Sequence, residues 1–395
     1  MLCLSTLAMI GLSWPLWVDG DDFPRVPFVP GLPRVAPRVS WILLGSIAAM
    51  LALAASGRAW RATMAAAVAL LAVEVAGDQS RLQPWAYQFG VVGLALAATS
   101  GPRGLRLARW YAISLYLYSG LSKLDVSFVR ELGATFLGAA LGPVGVSPWG
   151  WPAPARSAAI LAMPAWEVGV AIGLMFGPTR RPALGAAIVL HSALLAILGP
   201  WNLGHSPIVL VWNGAMIAQA LILFGPAPEP VRPGDRDTRL GPAARLAMGI
   251  ALVLPIFERA GLCDSWPAHA LYASHAERAD VFLHEDDLDR YPEPVRRRTA
   301  PEGPGPWRRL DLTGWSRDAR GVPPYPQGRV GLGMAEFLAA RYGGGPPVKV
   351  VLRGRADWRD GRRDRVECVG IRAIRREGDR SRINAHPSGV DRPDP

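Results

Sequence analysis

The stretch SPIVLVWNGAMIAQALILFG (residues 206–225) runs twenty residues without a charged side chain. A helix needs roughly 20 apolar residues to cross the hydrocarbon core of a bilayer, so this segment alone predicts a transmembrane span. Working outward, comparable apolar runs occupy residues 2–18, 40–56, 62–76, 84–100, 107–122, 156–177, 182–199 and 243–262. The third and fifth runs in chain order are short, so the sequence predicts eight or nine spans. No internal repeat is visible. The expected fold is an all-α polytopic transmembrane helical bundle over residues 1–262, an α+β soluble domain over 263–382, and a flexible tail over 383–395.

Charge divides the chain at the same place. Up to Cys263 there are 12 acidic and 19 basic residues, against 20 and 24 in the shorter remainder. The net charge of +11 would suggest nucleic acid in a soluble protein. Here the basic excess of the first part sits in short loops, as topology requires, and no nucleic-acid partner is expected. Arg58 and Arg61, then Arg103, Arg106 and Arg109, then Arg180 and Arg181, then Arg232, Arg236, Arg239 and Arg245, mark every second loop as cytoplasmic. The alternate loops, 19–39, 77–83, 123–155 and 200–205, are then extracytoplasmic, and with nine spans so is the C-terminal domain. The expected location is the cell membrane, multi-pass, with lipid as the first partner. The N-terminal run lacks a basic n-region and a small-residue cleavage site and reads as a retained span. Cys3, Cys263 and Cys368 have no metal or C-x-x-C spacing, although a Cys263–Cys368 bridge is possible.

After Pro267 the periodicity changes. ADVFLH (279–284), VKVVLRG (348–354) and VECVGIRAI (366–374) read as strands, the last two forming a hairpin, and GLGMAEFLAARYGG (331–344) as a helix. HEDDLDRYPEPVRRR (284–298) reads as a solvated acidic and basic surface. LTGWSRDARGVPPYPQGR (312–329) reads as an ordered loop, and the residues after Arg382 as loosely packed.

Few polar residues interrupt the apolar half, and these carry the functional reading. Lys123, the only lysine before Lys349, follows the aromatic-rich YAISLYLYSG. A lysine at this depth either snorkels and pairs with Asp125 or Glu131, or loses its proton in an apolar pocket and acts as a base. Glu167 and His191 interrupt otherwise apolar spans and are expected to face the bundle interior, as a relay, a ligand site or a simple interhelical hydrogen bond. Asp78, Arg81, Gln83, Trp85 and Tyr87 form either a polar pocket lining or an interface loop. Trp201, Asn202 and His205 form either a rigid rim over a pocket or a headgroup anchor. Glu74 can pair with Arg81 or Lys123. No metal-ligand spacing is present, His275 and His284 included.

The run GLSKLD (120–125), followed by Phe128, Val129 and a further glycine, resembles the segment that carries the catalytic lysine in vitamin K-dependent γ-glutamyl carboxylases and the wider HTTM (horizontally transferred transmembrane) family. The similarity extends over about residues 1–262. It implies spans in the same order and an extracytoplasmic C-terminal domain. It also implies a lysine, here Lys123 with Asp125 beside it, that deprotonates a reduced quinone whose oxygenated form then abstracts a γ-proton from glutamate. The match departs at GDQSRLQPWAYQF (77–89), where the family's histidine is replaced by Gln83. An amide cannot exchange a proton as imidazole does. Two further readings therefore stand beside the enzymatic one: a noncatalytic quinone- or lipid-binding membrane partner resembling the DoxX and MauE proteins, and a scaffold that positions the external domain.

Overall fold

A computed structural model describes residues 1–99, 102–226, 241–342 and 347–390. Each of the nine apolar stretches contains a helix: Leu2–Leu12 (continued by Trp14–Trp17), Pro37–Ala55, Trp60–Gly77, Pro84–Ala98, Pro102–Ser122, Ala153–Met175, Arg180–Leu198, Pro207–Phe224 and Pro242–Val253. Five of these, Pro37–Ala55, Trp60–Gly77, Ala153–Met175, Arg180–Leu198 and Pro207–Phe224, are long and apolar enough to cross a membrane. The first, fourth and ninth are shorter. Pro102–Ser122 has the length, but its arginines and tyrosines lower its hydropathy.

Only 22 to 39 % of the residues in the five apolar helices are buried within the protein. Trp41, Ile42, Val73, Ile172 and Ile222 stand outward, an arrangement that suits hydrocarbon as the surrounding solvent. Glycine sets the closest helix approaches. A Cβ on Gly120 would lie 2.7 Å from the Pro164 carbonyl oxygen, and one on Gly173 would lie 2.7 Å from the Ala183 Cβ.

The loops 19–39, 77–83, 123–155 and 200–205 share one end of the bundle, where they meet the C-terminal part of the chain. Phe23 and Val26 enter the C-terminal core, with Phe23 4.6 Å from Trp315 between ring centroids. Arg320 pairs with Asp78, Arg130 donates to the Asp360 carbonyl, and Ser206 donates to the Gly321 carbonyl. Beneath them Arg81 bridges Asp19 and Glu74, which answers which partner Glu74 takes. At the other end Arg58 lies in the turn before Trp60–Gly77, and Arg61, Arg180 and Arg181 lie in the first turns of their helices; Arg232, Arg236 and Arg239 lie outside the described residues.

The C-terminal part is built on an antiparallel sheet in the order β2-β3-β1-β4-β5, with β1 Arg278–His284, β2 Thr299–Pro301, β3 Trp307–Leu310, β4 Lys349–Arg353 and β5 Arg365–Val369. Central β1 presents Val281 and Leu283, both fully buried, to a core shared with the helix Gly328–Tyr342. The β4–β5 hairpin and this helix match the sequence reading, and three details differ. VECVGIRAI is half strand, because Gly370 at φ +81° ends β5 and Ile371–Asp379 continues as a helix. Leu312–Arg320 is a helix and not a loop, capped by Asp311, whose carboxylate accepts from Gly314 N–H. The described part of the tail is packed: Asn384 donates to the Pro27 carbonyl, and His386 Nδ1 lies 2.8 Å from Glu336 Oε2. Residues 391–395 lie outside the described residues.

Removing one member of a buried ion pair leaves an uncompensated charge, at a cost of about 3–5 kcal/mol. Arg320→Ala should therefore lower the apparent unfolding midpoint in detergent sharply and open residues 19–36 to limited proteolysis. Arg320→Met with Asp78→Asn should recover part of the loss.

Candidate functional site

Inside the bundle, under the C-terminal domain, lies a cavity of about 450 Å³. Its walls are apolar, with Phe128, Phe136, Met163, Leu194, Ile197 and Met216 among them. Trp266, Leu271, Tyr272 and Val322, from the C-terminal part of the chain, close it from above. Its polar residues fall into two groups at different depths.

The upper group centres on Lys123, one residue beyond the Pro102–Ser122 helix. Its Nζ lies 2.7 Å from Ser119 Oγ and 2.7 Å from each carboxylate oxygen of Glu167. These contacts use all three N–H groups of an ammonium. Lys123 therefore pairs with neither Asp125 nor Glu131, the partners considered from sequence, but with a carboxylate on a different helix. Gln83, whose amide donates to the Ser80 carbonyl, lines the same cavity, as do Trp85 and His205. The Trp85 indole N–H, buried at the wall, has no hydrogen-bond partner among the described residues.

The lower group is a chain of Tyr116, His191 and Asn213. Asn213 Nδ2 donates to the Val209 carbonyl, which turns its Oδ1 toward His191 Nδ1 at 2.8 Å. Nδ1 must then carry the imidazole proton, leaving Nε2 to accept from the Tyr116 hydroxyl at 2.8 Å. Tyr116, Ser119 and Lys123 are spaced i, i+3, i+7 and share one helix face, so Tyr116 lies about one helical turn below Ser119, roughly 4.5 Å at 1.5 Å per residue.

Of Lys123, Asp125, Gln83, Trp85, Tyr87, Glu167, His191, Trp201, Asn202 and His205, the ten residues the sequence points to as catalytic or pocket-lining, six line this cavity: Lys123, Gln83, Trp85, Glu167, His191 and His205, while Asp78 and Arg81 lie in the junction described above. The other four lie elsewhere. Tyr87 packs near Tyr111 and His269, at centroid distances of 6.5 and 6.0 Å. Trp201 is 71 % exposed and donates to the Ala196 carbonyl, and Asn202 donates to the Ala139 carbonyl. Asp125 turns away from the cavity to cap the short helix Val126–Arg130, accepting from Phe128 N–H at 2.7 Å. The sequence reading missed Tyr116 and Ser119, although their spacing from Lys123 was visible. Arg317 and Tyr272 carried no local signal.

Asp125 belongs to a second buried network. His275 bridges Asp125 Oδ2 at 2.8 Å through Nδ1 and Glu258 Oε2 at 2.9 Å through Nε2, while Arg355 pairs with Glu258 and Arg259 approaches Asp125 at 3.8 Å. Burial alone would lower the His275 pKa, but the hydrogen bonds to Asp125 and Glu258 outweigh it and raise the pKa above 6.5. For Asp125, burial pulls upward and is outweighed by the bonds from His275 and Phe128 N–H, which hold it below 3.8. These shifts join the C-terminal domain to the bundle through charge.

Comparisons with protein-family models, with curated proteins and with solved structures return no match for this chain.

A raised histidine pKa contributes stability that is complete below 6.5 and is lost as pH rises through the folded-state value. The depressed Asp125 contributes above 3.8 and loses its share as pH falls through its lowered value. The unfolding midpoint of the wild type should therefore exceed that of His275→Gln most between about pH 4 and 6.5, with the gap narrowing toward pH 9. A gap that stays constant across this range would exclude a protonated His275 bridge.

Proposed function

We propose that this chain is an integral membrane protein with eight or nine spans, whose interior cavity binds a lipid-soluble small molecule with oxygen functions, a quinone being the class that fits best. The observation carrying this reading is a cavity of about 450 Å³ with largely apolar walls and two hydrogen-bonded polar clusters, Lys123 with Ser119 and Glu167, and Tyr116 with His191 and Asn213. That volume is typical of small-ligand sites, which run roughly 300–1,000 Å³. An aromatic ring with an oxygen at each end would lay its faces on Phe128, Phe136 and Met216 and meet a donor or acceptor at each level. The unpartnered Trp85 N–H adds a donor suited to a carbonyl oxygen. In this reading the shorter helices complete the bundle, and the C-terminal domain with the four loops it contacts lies on the extracytoplasmic side.

A bound quinone supplies reversible uptake of two electrons and two protons. The chain's own residues can move a proton at two places. One is the Lys123–Glu167 ion pair, where the ammonium donates to both carboxylate oxygens, and the other is the lower group, where His191 Nε2 accepts from the Tyr116 hydroxyl and can exchange a proton with a ligand oxygen that displaces it. The resemblance to the HTTM and γ-carboxylase family assigns Lys123 the role of base. For that step its proton must pass to Glu167 or to solvent, because all three N–H groups are engaged with Ser119 and Glu167. Gln83 cannot replace the family's histidine in proton transfer, and the imidazoles on this cavity wall are His191 and His205.

The same engagement of Lys123 favours a second reading: a noncatalytic binding protein, DoxX- or MauE-like, in which the ion pair orients a ligand or holds two helices for a membrane protein partner.

Purification from native membrane with mass spectrometry of co-extracted lipids should recover a quinone with the wild type and at least tenfold less with Lys123→Ala. Because Lys123→Ala strands the Glu167 charge, Lys123→Met/Glu167→Gln is the control for folding. A well-folded double variant that retains the quinone would remove Lys123 from the site. A wild type that yields no quinone would refute the binding reading.

A further inference from the structure

The helices around the cavity enclose it unevenly. Ala153–Met175 and Arg180–Leu198 run side by side, and at the end remote from the C-terminal domain they touch closely, with Gly173 against Ala183. Toward the C-terminal domain the short helix Leu132–Leu141 packs against both of them, and its Phe136 and Ala140 join the cavity wall. Pro164 sits inside the first helix, without the N–H that would bond the Ile160 carbonyl, and its own carbonyl faces Gly120 of the Pro102–Ser122 helix. There the first helix lies close against Pro102–Ser122, with Glu167 paired to Lys123 across the contact.

The cavity lining on this side reaches the outer surface. Trp166 is 47 % and Val189 53 % exposed, and Ala140 and Ala193 are exposed as well. All four are apolar: Trp166, Val189 and Ala193 lie on helices long and apolar enough to cross a membrane, and Ala140 on the shorter apolar helix Leu132–Leu141. On the opposite side of the lining the exposed residue is Arg317, in the C-terminal domain. Trp166 bridges Ala153–Met175 and Arg180–Leu198. Its indole N–H donates 3.1 Å to the Ala186 carbonyl of the neighbouring helix, and the next residue, Glu167, turns inward to Lys123.

We propose that this side of the cavity is a lateral portal through which hydrophobic molecules dissolved in the bilayer enter it, with Trp166 as its movable bar. The proposal rests on the reading of the cavity as a ligand site and adds the route and the class of ligand: an uncharged molecule that partitions into hydrocarbon, not a water-soluble substrate arriving past Arg317. A single hydrogen bond to a backbone carbonyl holds the bar. Such a bond contributes about 1 kcal/mol, so it can open on thermal fluctuation without unfolding either helix. The bar also couples route to site, because rotation of the segment that carries Trp166 moves Glu167 and hence its grip on Lys123.

The test needs no bound ligand. In full-length protein with Cys3, Cys263 and Cys368 replaced by serine or alanine, Leu194→Cys places one thiol on the cavity wall. The protein is reconstituted into bilayers and treated with either lipid-soluble N-cyclohexylmaleimide or a charged, membrane-impermeant methanethiosulfonate supplied on both faces. The expected result is labelling by the maleimide, reaction with the charged reagent at least tenfold slower than at an exposed control thiol such as Trp358→Cys, and a severalfold faster maleimide reaction on adding Trp166→Ala. Ile197→Cys, also on the wall, serves if Leu194→Cys fails to fold. Charged reagent reacting as fast as at the control, or a maleimide rate indifferent to Trp166→Ala, would overturn the portal. A portal that passes this test in a protein that retains no quinone would refute the proposed ligand and leave the route standing.

Discussion

The ion pair between Lys123 and Glu167 is the constraint around which the helical half is arranged. An ionised side chain in an apolar bundle costs several kcal/mol unless an opposite charge and further hydrogen bonds accompany it. Glu167 meets this requirement with both oxygens, and Ser119 takes the third N–H. The pair fixes the register of Ala153–Met175 against Pro102–Ser122, and Gly120 permits the approach by leaving room for the Pro164 carbonyl. With that register set, Tyr116 falls one level below and meets His191 across the same space. The cavity is what remains between these two polar levels once the large side chains of the neighbouring helices have packed around it.

The same rule governs the junction with the C-terminal domain, in a different setting. Arg320 with Asp78 and His275 with Asp125 link the two parts of the chain, while Arg81 with Asp19 and Glu74 on the bundle side and Arg329 with Asp264 on the C-terminal side flank them, all largely buried. Breaking any one costs more than an apolar contact of similar size, because the surviving charge has no water to turn to. The loop 19–39 is consequently part of the domain interface, and Phe23 and Val26 belong to the C-terminal core although more than 250 residues separate them from its first strand.

This explains which features could be read from the sequence. Helix positions followed from apolar runs, since a run such as 206–225 needs no partner to declare itself. Lys123, Glu167 and His191 could be singled out because ionisable groups are rare in such runs. Their partners could not be read, since pairing depends on how helices turn toward one another, and Asp125, the nearest carboxylate in sequence, was claimed by a helix N-terminus and by His275. Tyr87 and Trp201 resemble pocket residues in composition alone. Trp201 folds back on Ala196 because Gly199 leaves space beside its ring, which aims it outward. In the C-terminal domain β2 and β3 escaped notice because they are short and carry arginine and proline, so only pairing with β1 makes them strands.

A cavity with polar groups at two depths imposes a condition on whatever enters it. A molecule polar along its whole length would leave hydrogen-bonding groups unmatched against Phe128, Phe136 and Ile197, at about 1–3 kcal/mol for each buried group without a partner. A pure hydrocarbon would meet Lys123, Glu167, Tyr116 and His191 without disturbing them, because each already has a partner within the protein, but would gain nothing from Trp85, whose indole N–H has none. An amphiphile with a planar apolar body and a terminal oxygen satisfies both terms. It can also compete for the ion pair, since a ligand oxygen that takes one N–H of Lys123 frees an oxygen of Glu167 to accept a proton. In the proposed reading, binding and proton transfer fall to the same three residues, Ser119, Lys123 and Glu167, and one of the helices that carry them, Ala153–Met175, also borders the proposed opening toward the membrane.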